Sequence, residues 1–374
     1  MSGTEAIVTI APEASTLPEL LGESGYDTFF TGKWHNDRES FLRSFKQAKR
    51  IFNGGMCAHE AVPLVDDRAA FERGETPEID SGFSTELFCE SMADYLRDRS
   101  SDAPFFAWLS LTSPHDPRTP PESFLEPYKA AEMPLPDAFC AEPKFDNGEL
   151  DIRDERLASK PLQGDTLREH LAGYYGMITH QDDQIGRVLK ALDESGEADN
   201  TVVVYIGDHG LSLGNHGLLG KQNLYEHSTR VPFIMAGPGV PEGRDCSGLN
   251  YSYDVFATLL DLAGVDSPAA IESRSLVPQF KDTSSTRDEV VSVYKDCQRM
   301  LKTDRWKLIE YRVDGESRTE LFDLQTDPAE LHDVAADPEN QSRLQSLRER
   351  LVAWQQSNGD RWMPLDLTQQ PQAT

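Results

Sequence analysis

Six polar side chains of this sequence have the chemistry and the placement of active-site residues. They are Lys33, His35, His115, Asp208, His209 and Lys221. Five of them come directly after a run of apolar residues, and Lys221 lies in the glycine-rich stretch that follows the last of these runs. The carboxyl ends of parallel strands meet at one edge of an α/β sheet, where ligands bind. We therefore expect all six side chains in one site.

The residue types indicate an anionic ester as the substrate. Asp208 is a hard oxygen ligand for Ca²⁺ or Mg²⁺, and the adjacent His209 leaves other metals open. Lys33 and Lys221 can neutralise a bound oxyanion and the charge that grows in a transition state. A histidine can donate a proton to a leaving alkoxide. Taken alone, such an Asp is commonly a turn former, such a His a structural imidazole and such a Lys a solvated cation. Their occurrence together at three strand ends is what favours an active site.

The elements that must position these residues alternate between strands and helices. Continuous apolar runs at 104–112, 201–207 and 231–237 are typical of strands covered on both faces. We expect helices over 84–99 and 165–196, and shorter ones after Thr16, with Glu19 completing a capping box, and after Ser252, ending at Gly264. We expect 37–82 to be irregular and the Pro-rich span 114–143 to be loop. This order predicts an α/β fold with a mostly parallel central sheet flanked by helices.

The pattern changes after about residue 285. Short strand-like segments joined by tight turns follow, with Asp314-Gly315 as a hairpin signal, and then one amphipathic helix over 339–355. We therefore predict an α/β catalytic domain over 1–285 and a small C-terminal antiparallel sheet with a covering helix over 286–374.

Composition excludes several classes of partner. The chain has 374 residues, with 36 basic against 64 acidic side chains and a net charge of −28. Such a surface repels nucleic acid and anionic membranes. No apolar run is long enough to span a bilayer, and the first residues lack the features of a signal peptide. We expect a soluble protein and leave its compartment and oligomeric state open. The five cysteines show no CxxC spacing, which argues against a disulfide scaffold or a zinc site.

The chain resembles the type I sulfatases of the alkaline-phosphatase superfamily, nearest to the choline-sulfatase-like and arylsulfatase-like branch. The stretches "TLPELLGESGYDTFFTGKWH", "APFFAWLSLTSPHDP", "VVVYIGDHGLSLGNHGLLGK" and "ELFDLQTDPAELHDV" carry the resemblance, in family order. It implies that Asp208 and His209 are the second pair of metal ligands, usually for Ca²⁺. It also implies that Lys33 and His35 contact the nucleophile and the sulfate, that His115 lies on the leaving-group side, and that Lys221 binds sulfate.

Two motifs expected from the resemblance are missing from this sequence. The family begins with a strand ending in Asp-Asp, which supplies the first metal ligands, and then carries Cys-x-Pro-Ser-Arg, whose Cys becomes the formylglycine nucleophile. No cysteine here has a proline two places on, and we assign no nucleophile. The pairs Asp66-Asp67 and Asp182-Asp183 look like decoys, that is, acidic pairs that resemble the missing Asp-Asp motif without being its metal ligands. We therefore expect Ca²⁺ to bind weakly or not at all, and a central strand to be absent, leaving a sheet edge exposed.

Three hypotheses follow for function. The first is a sulfuric ester hydrolase that lacks its N-terminal segment and is inactive or incomplete as written. The second is a non-catalytic sulfatase-like protein that binds anions, and the third is a phosphoesterase of the same superfamily. A covalent-catalysis enzyme without its nucleophile should be nearly inert. The substrate stays open among sulfated sugars, aryl sulfates and choline sulfate, and the acidic surface favours small or exo-cleaved ones.

Overall fold

The larger part of the molecule is built on a mixed five-stranded sheet. A computed structural model describes residues 9–269, 271–282, 287–360 and 362. The strands of this sheet are β1 (Asp27–Trp34), β2 (Gln47–Asn53), β3 (Val62–Asp67), β4 (Glu78–Asp80) and β5 (Phe105–Ser110). Their order is β4-β3-β2-β1-β5. Both neighbours of β1 run parallel to it, whereas β3 and β4 are antiparallel additions.

Helices cover both faces of this sheet. The α-helices of the described residues, including α9 of the C-terminal part, are α1 (Leu17–Glu23), α2 (Arg38–Ser44), α3 (Arg68–Arg73), α4 (Ser84–Asp98), α5 (Glu122–Leu125), α6 (Gly164–Glu194), α7 (Glu226–Thr229), α8 (Asp254–Ala263) and α9 (Gln341–Ser357). On one face, β5 places Phe105, Ala107 and Leu109 against a cluster formed by α4 and α6. On the other face, Phe106 packs against α1 and α8. The α/β prediction is therefore confirmed.

A second sheet forms the C-terminal part. Its strands β8 (Val290–Tyr294), β9 (Gln298–Lys302), β10 (Trp306–Val313) and β11 (Glu316–Asp323) are all antiparallel to their neighbours. Asp314 and Gly315 both have positive φ and close the β10–β11 hairpin, as predicted. One face of this sheet packs on α9 through Leu301, Leu308 and Leu351. The predicted domain boundary at 285 and 286 lies outside the described residues.

The sheet edge next to β5 leaves apolar side chains in solvent. Among the described residues β5 pairs on one side only, and β6 (Val203–Ile206) pairs with β7 (Phe233–Ala236) in a separate antiparallel ribbon. Trp108, Tyr205 and Ile234 are 42%, 38% and 61% exposed. The three strands are therefore less covered than their apolar runs predict, and β6 and β7 are not parallel. An apolar edge of this kind is a site for strand addition or aggregation.

Three further local predictions are wrong, the first because the Pro-rich span 114–143 contains the short helix α5. Residues 37–82 are not irregular but contain α2, β2, β3, α3 and β4, held by an aromatic cluster around Phe30, Phe41 and Phe71. Ser252 is not the cap of α8, because the N-cap residue is Tyr253, which makes no side-chain capping hydrogen bond. The capping box of Thr16 and Glu19 is present as predicted. In the parts of the chain that the structure describes, no helix is long and apolar enough to cross a bilayer.

Candidate active site

The backbone before Lys33 is set by a glycine at the end of β1. Gly32 has φ +116°, and a Cβ at this position would lie 2.0 Å from the Ser110 carbonyl oxygen of β5. Only glycine tolerates both the backbone angle and the close approach. The register between β1 and β2 shifts at the same point, because β2 carries one extra residue there, Arg50 with φ +47°, and such a bulge increases the local twist. The Lys33 ammonium then donates to the Gly55 carbonyl at 2.6 Å.

The backbone of His115 is fixed by a second, buried histidine. The Nε2 of His59 lies 2.9 Å from the His115 carbonyl oxygen, and its Nδ1 lies 3.1 Å from Ser84 Oγ. Because a carbonyl can only accept, Nε2 of His59 carries the proton and Nδ1 accepts from the serine. Burial lowers the pKa of His59, which keeps this imidazole neutral. His59 therefore positions His115 without facing the site itself.

The imidazole of His115 presents a lone pair to two cations. Its Nδ1 donates to the Asp116 carbonyl at 2.9 Å, so Nε2 is the acceptor nitrogen of the neutral ring. Nε2 lies 3.3 Å from the Lys221 ammonium and 3.5 Å from Nη2 of Arg153. Burial lowers the pKa of His115, and the charges of Lys221 and Lys33 lower it further. At neutral pH, His115 is thus an acceptor and must gain a proton before it can act as an acid.

The glycine-rich loop that carries Lys221 is anchored by a buried carboxylate. Glu155 accepts hydrogen bonds from the Leu219 amide at 2.9 Å and the Gly220 amide at 2.7 Å. The next side chain, Gln222, donates to Asp154 at 2.8 Å. A carboxylate that binds consecutive amides restrains the loop strongly. Glu155 and Asp154 therefore set where the Lys221 ammonium lies.

The same loop is also held by the C-terminal sheet. Leu218, Leu224 and Tyr225 pack against the face of β9–β11 opposite α9. The Tyr225 hydroxyl donates to Glu320 at 2.7 Å. Beneath it, the fully buried Lys307 ammonium lies 2.7 Å from Glu330. The C-terminal part of the chain thus forms the floor of the Lys221 loop, and it contributes to the site through packing.

Asp208 and His209 place one carboxylate and one imidazole side by side after β6. The His209 Nδ1 donates to the Gly210 carbonyl at 3.0 Å, so its Nε2 is the lone-pair nitrogen, 3.5 Å from Asp208 Oδ2. Burial lowers the pKa of His209, although Asp208 opposes that shift. The Asp208 side chain is 86% exposed. Both side chains are thus available as metal ligands.

Two donors are too few for the predicted Ca²⁺, which binds six to eight oxygens. Over the described ranges, no group of three or more His, Cys, Asp or Glu side chains could hold a metal ion. The decoy pairs do not add to the site: Asp67 caps α3 through the Ala70 amide at 2.8 Å, and Asp183 lies on α6, 3.1 Å from Arg187. Asp208 and His209 by themselves therefore do not fit Ca²⁺, and weak binding remains a prediction.

The structure brings Lys33, His115, Lys221, Asp208 and His209 near one another. His115 and His209 both lie within the fields of Lys33 and Lys221, which lower the pKa of each imidazole. His35 is exposed, one residue past the end of β1.

Three residues that contribute to the site escaped sequence reasoning, namely His59, Arg153 and Glu155. None of the three lies in a segment with strong hydrophobic periodicity. The partner of His59 is 56 positions away, a partner of Glu155 is 65 positions away, and Arg153 contacts a histidine of another loop. In the sequence, the spans 54–61 and 150–160 resemble loops. Only a charged group or an imidazole ring distinguishes these three residues from their neighbours.

Comparison with known proteins identifies the family. The sequence model of the family described as Sulfatase matches residues 1–265, and that of the N-sulphoglucosamine sulphohydrolase C-terminal region matches residues 214–357. The chain belongs to the sulfatase family. This family assignment agrees with the predicted resemblance to the type I sulfatases of the alkaline-phosphatase superfamily.

Relatives and solved structures agree with this assignment. An arylsulfatase of Clostridium perfringens is 32% identical over 270 residues, covering 69% of this chain and 55% of that protein. A choline-sulfatase of Rhizobium meliloti is 27% identical over 272 residues, covering 68% of this chain and 52% of that protein. The chain thus spans little more than half the length of these relatives.

The fold agreement extends over nearly the whole chain. A structure of BT4656 with its substrate D-glucosamine-2-N,6-O-disulfate superposes with a TM-score of 0.80 at 22% identity, covering 96% of this chain and 84% of that one. A phosphonate monoester hydrolase of Silicibacter pomeroyi has a TM-score of 0.69 at 22% identity, covering 95% of this chain and 82% of that one. These likenesses concern the fold alone.

Proposed function

We propose that this sulfatase-family chain binds a sulfate ester between Lys33, Lys221 and His115. The observation that carries the proposal is the contact of 3.3 Å between the Lys221 ammonium and the lone-pair nitrogen of a neutral His115. The Lys221 ammonium should bind an anionic oxygen more strongly than it binds this neutral imidazole, because hydrogen bonds between oppositely charged groups are stronger. Lys33 supplies a second positive charge to the same imidazole.

The roles of the side chains follow from their protonation. Lys221 and Lys33 would bind the sulfate oxygens and stabilise charge that accumulates on them. When the anion draws Lys221 away from Nε2, the negative charge raises the pKa of His115, and a protonated His115 can then donate to the leaving oxygen. Proton uptake is thus coupled to substrate binding. We derive no step through a metal ion, because Asp208 and His209 alone do not fit one.

We further propose that the 374 residues of this sequence bind the sulfate ester but do not hydrolyse it appreciably. None of the five cysteines stands in a Cys-x-Pro-Ser-Arg motif. Loss of a covalent nucleophile commonly removes several orders of magnitude in rate and leaves residual electrostatic catalysis.

The test combines binding and hydrolysis of phenyl sulfate. We expect the wild-type chain to bind it, and Lys221→Ala to weaken binding by about 10-fold to 100-fold, the value of one charge-assisted hydrogen bond. Lys190→Ala is the matched control, because that ammonium is 73% exposed on α6. Equal binding by wild type and Lys221→Ala would contradict the site. Robust hydrolysis by wild type that is lost in both Lys33→Ala and Asp208→Ala would contradict the inactive state.

A phosphoester is the second candidate substrate, favoured by the fold shared with a phosphonate monoester hydrolase. Phenyl phosphate carries nearly twice the charge of phenyl sulfate at neutral pH. Tighter binding of phenyl phosphate, with hydrolysis that depends on Lys221, would select this alternative over a sulfatase.

A further inference from the structure

The loop after β5 buries the head group of an arginine against α6. Its main chain lies directly on the helix: a Cβ added at Gly173 would be 2.6 Å from the Arg118 carbonyl oxygen, and one at Gly176 would be 2.8 Å from the ring of Pro120. Glycine at both positions allows this close approach. Arg118 is half-buried, yet all three nitrogens of its guanidinium are buried. Arginines ordinarily keep this group in water and bury the stem, so the usual arrangement is reversed here.

The buried guanidinium has no hydrogen-bond partner in the described part of the chain. Neither Nε, Nη1 nor Nη2 of Arg118 meets an acceptor there. Burial lowers the pKa of Arg118, but a guanidinium stays protonated at neutral pH, so the charge remains. A buried charge without an opposite charge or acceptors is strongly destabilising. An anion would supply both the opposite charge and the acceptor.

The carboxylates around Arg118 are already used by other partners. Those of Asp116, Asp154 and Glu155 act on its charge. Asp154 and Glu155 hold the glycine-rich loop through the hydrogen bonds described above. Asp116 Oδ1 lies 3.3 Å from the Nδ1 of His115. None of these oxygens is within hydrogen-bond distance of the guanidinium. The charge of Arg118 therefore needs a partner from outside this set.

Two side chains of α6 complete the surroundings of the guanidinium. His170 and Tyr174 are four positions apart and share one face of the helix. Burial lowers the pKa of His170, and the charge of Arg118 lowers it further. Burial raises the pKa of Tyr174, and the charge of Arg118 opposes that rise. His170 is thus neutral, and the Tyr174 hydroxyl keeps its proton and can donate to an anion.

We propose that Arg118 and Tyr174 hold a small monovalent inorganic anion, such as chloride, in a site separate from the sulfate-binding groups. The size follows from burial. Because the three nitrogens are out of contact with solvent, a bulky ester group cannot reach them, whereas a halide requires only a small displacement of the loop. The bound anion would fix the loop after β5, which also carries His115, on α6. This inference does not depend on the proposed function.

Thermal melts at increasing chloride concentration test the proposal. Gluconate replaces chloride at constant ionic strength, because added salt by itself should stabilise a chain with a net charge of −28. We expect the melting temperature of wild type to rise saturably, by roughly 2–5 °C at about 100 times the dissociation constant of chloride. Arg118→Met should show no such rise. In gluconate alone this variant should melt no lower than wild type, because an apolar side chain replaces an unpaired buried charge.

Two control variants should keep the dependence on chloride. Arg156→Met is the matched control, because that side chain is 63% exposed and paired with Asp151. Lys221→Ala removes a sulfate-binding group and leaves Arg118 in place. A rise that is lost in Lys221→Ala but kept in Arg118→Met would place chloride at the sulfate-binding groups and overturn the proposal. A rise that persists in every variant would be a general effect of the anion, with the same consequence.

Two further results would contradict the site. One is a wild type whose melting temperature does not change with chloride. The other is an Arg118→Met variant that melts lower than wild type by the same amount at every chloride concentration, since the guanidinium would then be satisfied without an anion. Bromide locates the site directly: anomalous diffraction from crystals grown in sodium bromide should show a peak in contact with the Arg118 guanidinium. Bromide peaks at other places only would refute the assignment.

Discussion

The buried carboxylate of Glu320 should make the stability of this protein fall as pH rises. Glu320 is 2% exposed and accepts hydrogen bonds from Tyr225 at 2.7 Å and Tyr311 at 2.9 Å. Burial raises its pKa to about 7 from the ordinary 4.5. A folded state with the higher pKa binds more protons than the unfolded state between these values. The contribution is therefore complete below pH 4.5 and is lost as pH rises to 7.

The size of the effect follows from the shift. At about 1.4 kcal/mol for each pKa unit, the full contribution is roughly 3 kcal/mol, of which about 2 kcal/mol falls between pH 5.5 and 8.5. Glu320→Gln keeps an acceptor for the two hydroxyls and removes the titration. Relative to wild type, we expect this variant to gain about 2 kcal/mol of unfolding free energy over that range.

Urea unfolding followed by tryptophan fluorescence at several pH values measures this difference. Glu316→Gln is the control, because Glu316 lies on the same strand β11 but is exposed. Its difference from wild type serves as the baseline against which the pH dependence of Glu320→Gln is compared. A flat difference for Glu320→Gln against this baseline would refute the argument, since the carboxyl would then titrate at the same pH in both states.

Further predictions concern the site and the sheet edge. Calorimetric titration with Ca²⁺ should show binding weaker than micromolar, because Asp208 and His209 supply only two ligands; sub-micromolar affinity would mean that other ligands are recruited. Glu155→Gln should weaken phenyl sulfate binding about 3-fold to 10-fold by loosening the Lys221 loop, without loss of fold in a thermal melt. Ile234→Lys should reduce concentration-dependent association in light scattering, because a charge on an exposed strand opposes edge pairing; unchanged association would exclude this edge as its cause.

Elements with strong local signals could be predicted from the sequence. The capping box at Thr16, the left-handed Gly264 and the turn at Asp314-Gly315 each depend on residues within a few positions of one another. The 31-residue helix α6 has enough turns for its periodicity to be recognised. In these cases the local preference and the tertiary fold agree, and the prediction is correct.

The segment 37–82 could not be predicted for the opposite reason. Its helices α2 and α3 have 7 and 6 residues, too short for a periodic pattern or for stability in isolation. Phe41 packs against Phe30 of β1 and also against Phe71, which lies on α3 much further along the chain. The contact between α2 and α3 is longer in range than the windows in which periodicity is read, so local patterns do not reveal it.

The site divides in the same way. Lys33 lies at the carboxyl end of β1 and His115 in the loop after β5, so that topology alone predicts their edge of the sheet. His59 acts on His115 through its backbone carbonyl, and Glu155 acts on the Lys221 loop through backbone amides. A side chain that binds backbone atoms can pair with almost any residue type, so the sequence does not reveal its partner. For this reason the groups that bind the anion were visible in the sequence, and the groups that position them were not.

Net charge is a poor guide to what such a site binds. The chain carries −28, yet Lys33, Lys221 and Arg153 all approach one imidazole. At physiological salt the Debye length is about 8 Å, so distant surface carboxylates are screened while these cations act at contact range. A small anionic ester would therefore experience a positive site. A long polyanion would extend beyond these cations and meet the acidic surface, so each further charge should lower its affinity instead of raising it.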